Sequence, residues 1–104
     1  MASRHRRVAW AVGAQEALNE ALAFIAEESP DGAGRVLRAT LDLAASLETL
    51  SERGRTVPEY DDPSIRETFV YSYRLMYRGE EDSVTIIAFL HGARDFERWA
   101  RQQQ

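Results

Sequence analysis

Residues 66–94 read RETFVYSYRLMYRGEEDSVTIIAFLHGAR, and the order of textures in that stretch decides the fold. Arg66–Tyr71 and Tyr73–Arg78 are rich in aromatic and β-branched residues and read as strands, with a tight join near Ser72. Gly79, Glu80, Glu81 and Asp82 make a polar turn. Val84–Leu90 is almost continuously apolar, as a strand buried on both faces must be, and Gly92 ends it. Consecutive strands usually lie side by side, so the stretch predicts an antiparallel meander that needs an apolar cover.

Working upstream, that cover comes from two helices. From about Ala14 to Glu28, Ala17, Leu18, Ala21, Leu22 and Ile25 recur at i, i+3, i+4, i+7, which predicts an amphipathic helix after a break at Gly13. Ser29 then reads as an N-cap with Pro30 at the first helical position and Asp31 in the first turn. The second helix carries one apolar stripe, Ala33, Val36, Leu37, Thr40, Leu41, Ala44, Leu47 and Leu50, and Gly54 suits its C-terminal cap. So short a link predicts an antiparallel hairpin. Ahead of it, the weak alternation over Arg6–Ala11 reads as an opening strand; behind it, Thr56–Ser64, with Pro58 and Pro63, reads as irregular. Beyond Gly92, Asp95 can cap a short helix bearing Phe96 and Trp99, with Gln102–Gln104 frayed. The expected fold class is α+β: an N-terminal strand, an antiparallel helical hairpin packed on a small antiparallel sheet, and a short C-terminal helix. A length of 104 residues predicts a single domain over 1–104, with its core at about 8–94 and a terminal helix and tail over 95–104.

Composition narrows the function classes. There is no cysteine, so neither disulfides nor thiolate chemistry is available. His5 and His91 make no ligand spacing, so no metal site and no cofactor are expected. No apolar run approaches the roughly 20 residues of a membrane helix, and Val8–Val12 is too short for a signal-peptide core, so the expectation is a cytoplasmic protein with no membrane partner. All 13 basic residues are arginine against 17 acidic ones, a net charge of −4, which argues against non-specific nucleic-acid binding.

Three motifs could carry function: Gly54-Arg55 with Pro58-Glu59, Arg66-Glu67 with Tyr73-Arg74-Leu75-Met76-Tyr77-Arg78, and His91-Gly92-Ala93-Arg94. Arg55 and Glu59 are four apart and suit a local ion pair worth about 0–1 kcal/mol at a surface. Unbroken alternation puts Tyr71, Tyr73 and Tyr77 on one strand face and Arg66, Arg74 and Arg78 on the other. Three like charges on one sheet face repel, so they either pair with carboxylates or face a partner. His91 reads first as a hydrogen-bonded strand terminus; Arg94 can pair with Asp95 or Glu97, or meet a partner's carboxylate or a phosphate.

In their order and placement these motifs ("GR-x-x-PE", "RE", "Y-R-x-x-Y-R", "H-G-x-R") resemble the RelE/ParE superfamily, the ParE branch best, over roughly Val8–Arg94. The resemblance implies the toxin of a type II toxin–antitoxin pair that inhibits DNA gyrase by binding, performs no reaction of its own, and is neutralised by a partly disordered, ParD-like antitoxin. Exposed charge and placement, rather than a family motif, make Arg66, Arg74, Arg78, Arg94, Phe96 and Trp99 the expected contacts to target or antitoxin, with Arg55, Glu59 and Tyr77 as structural motif residues. The alternatives are a non-toxic antitoxin-binding relic or a RelE-like enzyme that cleaves messenger RNA on the ribosome, with Arg74, His91 and Arg94 as its candidate catalytic set. RelE-like enzymes carry a lysine-rich strand before the equivalent of Arg74 and a terminal tyrosine; here stand Ile65, Arg66 and Glu67, and Trp99 and Ala100.

Overall fold

The computed structural model describes residues 5–103, apart from the side chains at positions 93 and 94. Strand β1 (Arg7–Trp10) leads into helices α1 (Val12–Ala26) and α2 (Pro30–Ser46); a two-residue strand β2 (Arg55–Thr56) follows, then β3 (Ile65–Val70), β4 (Tyr73–Gly79), β5 (Ser83–His91) and helix α3 (Gly92–Gln102). The sheet runs β1-β5-β4-β3-β2. The meander of β3, β4 and β5 is antiparallel as its sequence implies. The whole sheet is mixed, however, because β1 pairs parallel with β5. A parallel neighbour requires a long crossover, and here everything from α1 to β4 supplies it.

The Ala11 N–H donates to the Ile86 carbonyl at 2.9 Å, and the Gln15 N–H to the Ala11 carbonyl, so strand end and helix start share one residue. For that reason α1 begins at Val12 and takes Gly13 inside it, rather than starting after a break there. The start of α2 is as its residues dictate: the Ser29 hydroxyl accepts from the Gly32 N–H at 2.9 Å, with Pro30 and Asp31 in the first turn. Its end is not. The helix stops at Ser46, with Leu47 as C-cap, and Gly54 lies well beyond it. Within its stripe, Val36, Thr40, Ala44 and Leu47 are buried, whereas Leu37, Leu41 and Leu50 are exposed. A stripe as broad as the sequence offers cannot all face inward, and only the narrower line through Val36, Thr40, Ala44 and Leu47 does.

The sheet separates two cores. On one face, α1 and α2 bury Ala14, Leu18, Ala44 and Leu47 against Leu75, Tyr77, Val84, Ile86 and Phe89. On the other, α3 and the segment after β2 bury Phe96 and Val57 against Ile65, Met76, Ala88 and Leu90. Ile87 explains how β5 serves both: Tyr77 pairs with Ile86 and Met76 with Ala88, leaving Ile87 as an extra residue. A bulge of this kind shifts the alternation by one. Val84 and Ile86 thus face the hairpin, while Ala88 and Leu90 face α3. At the β3–β4 turn Tyr71 takes φ 53° and is exposed, so it leaves the face occupied by Tyr73 and Tyr77.

Candidate functional site

Two of the three motifs, Gly54-Arg55 with Pro58-Glu59 and Arg66-Glu67 with Tyr73–Arg78, converge on one place. Gly54 is packed so closely that a Cβ there would stand 2.6 Å from both the Glu67 carbonyl oxygen and the Tyr77 hydroxyl, so only glycine fits. Its N–H donates to the Tyr77 hydroxyl at 3.0 Å, and that hydroxyl donates to the Ser51 carbonyl at 2.7 Å. Tyr77 is fully buried, and this desolvation raises its pKa above the ordinary 10.0. The Arg66 guanidinium donates to the Gly54 carbonyl at 2.9 Å.

The neighbouring ion network rests on Glu67, whose side chain is 0% exposed. Strand β2 pairs Arg55 directly with Glu67, and the Arg55 Nε donates to Glu67 Oε2 at 2.7 Å. Arg74 Nε donates to Glu67 Oε1 at 2.7 Å. Its two terminal nitrogens reach Glu59 in a fork, Nη1 to Oε2 at 3.0 Å and Nη2 to Oε1 at 2.9 Å. The expected local Arg55–Glu59 pair is therefore replaced by a crossed one, Arg55 with Glu67 and Glu59 with Arg74. Strand register brings Glu67 beside both arginines, and a register contact overrides proximity along the chain. The hydrogen bond to Arg74 holds the Glu59 carboxyl below its ordinary range, and the same bond raises the pKa of Arg74.

Each arginine also stands over an aromatic ring, Arg55 over Phe69 at 5.3 Å and Arg74 over Phe96 at 5.1 Å. Phe96 is 8% exposed and meets Tyr60 edge-on at 6.0 Å; Trp99 meets Tyr60 at 5.9 Å. Phe96 is thus occupied inside the chain, while Trp99 is half-buried.

The other expected residues are scattered. Arg66 pairs across the ladder with Tyr77, which places it on the hairpin side, opposite Arg74 and Arg78. The single arginine face read from alternation is therefore divided between two faces. Arg78 is partly exposed, 3.5 Å from Asp62 and within a long hydrogen bond of Ser64. His91 caps α3, its N–H donating to Asp95 at 3.1 Å and its ring 3.1 Å from the Ser72 hydroxyl. It pairs with Tyr73 and so faces away from Arg74. The expected Arg94 contact has its side chain outside the described residues. Sequence reading missed Glu67 as the hub and Ser51 and Tyr60 as partners; the one signal for Glu67 is a carboxylate at an inward position of an aromatic strand.

A family model for the ParE toxin of type II toxin-antitoxin system, parDE, matches residues 8–96. The chain belongs to the ParE toxin family. The match takes in the sheet, both hairpin helices, and the Gly54, Glu67 and Arg74 cluster, ending at Phe96. In the fold itself, a chain from the solved structure "Chromosomal ParDE TA system from P. aeruginosa" is similar, with a TM-score of 0.68 at 13% identity, over 86% of this chain and 98% of that one. No curated protein matches it. In this ParE-family chain the Gly54–Glu59 and Arg66–Arg78 motifs form a structural latch joining the strand edge, the central strands and α3. No helix among the described residues is long and apolar enough to cross a membrane.

Proposed function

We propose that this ParE-family toxin inhibits DNA gyrase by binding it, without a reaction of its own, and is neutralised in the cytoplasm by a cognate ParD-like antitoxin. The observation that carries the non-enzymatic part is the state of Arg74. Its guanidinium is bonded to Glu67 and Glu59, stacked on Phe96 and only 11% exposed. Cleavage of RNA needs a cation free to meet the developing phosphate charge and a base beside it. Arg74 offers no free cation, and His91 lies on the other face of the sheet. The family membership supports the toxin role.

For the antitoxin, the support is exposed apolar surface. Phe69 and Tyr71 at the β3–β4 turn are 50% and 66% exposed, and with Leu43 and Arg53 they line a cleft of about 380 Å³ beside α2. Apolar surface with an adjacent cation suits an amphipathic segment that folds as it binds. The test uses the purified full chain in a gyrase supercoiling assay and in a translating ribosome extract. Loss of supercoiling with intact message is expected, and the antitoxin should restore supercoiling. Cleaved message with normal supercoiling would overturn the reading.

A further inference from the structure

One edge of the sheet ends in a cleft that neither the toxin reading nor the latch uses. Strand β1 accompanies β5 only over Ser83–Ile86 and then turns away into α1. β5 continues to His91, so from Ile87 onward that side has no strand beside it. Along this open stretch lies a cleft of about 420 Å³ with Ile87, Phe89 and Leu90 at its base. One wall is α1, with Glu16 and Glu20; the other is α3, with Arg98 and Trp99. Because α1 packs on one face of the sheet and α3 on the other, the cleft straddles the edge. An unpaired strand edge is a template for another strand.

The two walls ask for different side chains. Glu16 and Glu20 are exposed, and no ion pair between described residues uses either. At i and i+4 of a helix their Cβ atoms stand about 5–6 Å apart. A strand repeats its side chains on one face every second residue, about 6.6 Å apart. The two separations are close, so neighbouring cations on one face of an added strand match the spacing of the two carboxylates. The opposite wall presents the Trp99 ring, with Asp95 and Arg98 of opposite sign beside it, and so favours apolar side chains.

We propose that this cleft takes an extended segment of another protein, which adds to β5 as a strand with arginine or lysine at every second position facing Glu16 and Glu20 and apolar residues between them facing Trp99. The binding does not depend on which target the toxin has, so gyrase inhibition and strand capture stand or fall separately.

The test titrates the isotope-labelled full chain with a synthetic peptide alternating arginine and valine, and separately with one alternating glutamate and valine. The basic peptide is expected to bind at least about ten-fold more tightly and to slow amide exchange over Ala88–His91. The exposed double variant Glu16→Gln/Glu20→Gln should keep the parent unfolding temperature and lose about ten-fold in affinity for the basic peptide. Equal binding of the two peptides, no binding of the basic one, protection along β3 instead of β5, or undiminished affinity in the variant would each overturn the proposal.

Discussion

Glu67 shows at the scale of one residue how the motif is built. A carboxylate with no exposure costs several kcal/mol to desolvate and survives only if both oxygens are paired. Here Arg55 takes one and Arg74 the other. Arg74→Ala leaves the buried charge half-satisfied and strips the cover from Phe96. The expected loss is about 3–5 kcal/mol of unfolding free energy, read from the urea midpoint, with no change in any RNA-cleavage signal. A variant as stable as the parent would show that Arg74 is kept for something other than this network. The residue types of the latch were plain in the sequence, but their pairing was not. Arg55 and Glu59 lie four apart, whereas the partners that form depend on β2 beside β3 and β3 beside β4.

Among the elements, α2 separates what local chemistry decides from what it leaves open. Its start follows from Ser29, Pro30 and Asp31 because capping is an interaction among near neighbours. Its end depends on the turns that follow and on Gly54 being used elsewhere, against Glu67 and Tyr77. Inside it, Gly34 is exposed, helical and has nothing within 4 Å of where a Cβ would stand. Gly34→Ala should therefore stabilise the protein by about 0.5–1 kcal/mol by narrowing the unfolded ensemble. A thermal unfolding temperature at or below that of the parent would mean that α2 is held differently there. Helix α3 was legible as a helix from Phe96 and Trp99, yet not its place on the second face. That face exists because the bulge at Ile87 turns Ala88 and Leu90 toward it.

For the whole molecule, the carboxylates set the response to acid. Glu59 is held below its ordinary 4.5 by Arg74, and Asp62 below its ordinary 3.8 by the Ser64 hydroxyl and N–H. A depressed folded-state pKa contributes stability that is complete above the unfolded value and lost as pH falls through the folded one. Unfolding temperature should therefore be flat from neutral pH down to about 4.5 and decline below it. Glu59 is 39% exposed, so solvent screening limits its share to about 1 kcal/mol or less. Glu59→Gln should lie below the parent at neutral pH and converge on it in acid. A constant gap between the two melting curves across that range would remove Glu59 as a contributor.

Period and near neighbours were enough to set three aromatic or apolar strands in a row, two amphipathic helices ahead of them, the cap at Ser29, and a motif order that resembles the ParE branch. Burial on alternate sides leaves a period that can be read directly, and a cap acts within one helical turn. Tertiary structure decided everything that rests on which strand lies beside which. It set the parallel placement of β1, the division of Arg66 from Arg74 and Arg78, the crossed ion pairs around Glu67, and the open edge of β5 between Glu16 and Trp99. These contacts join residues far apart in the chain, and a one-residue bulge is enough to reassign their faces.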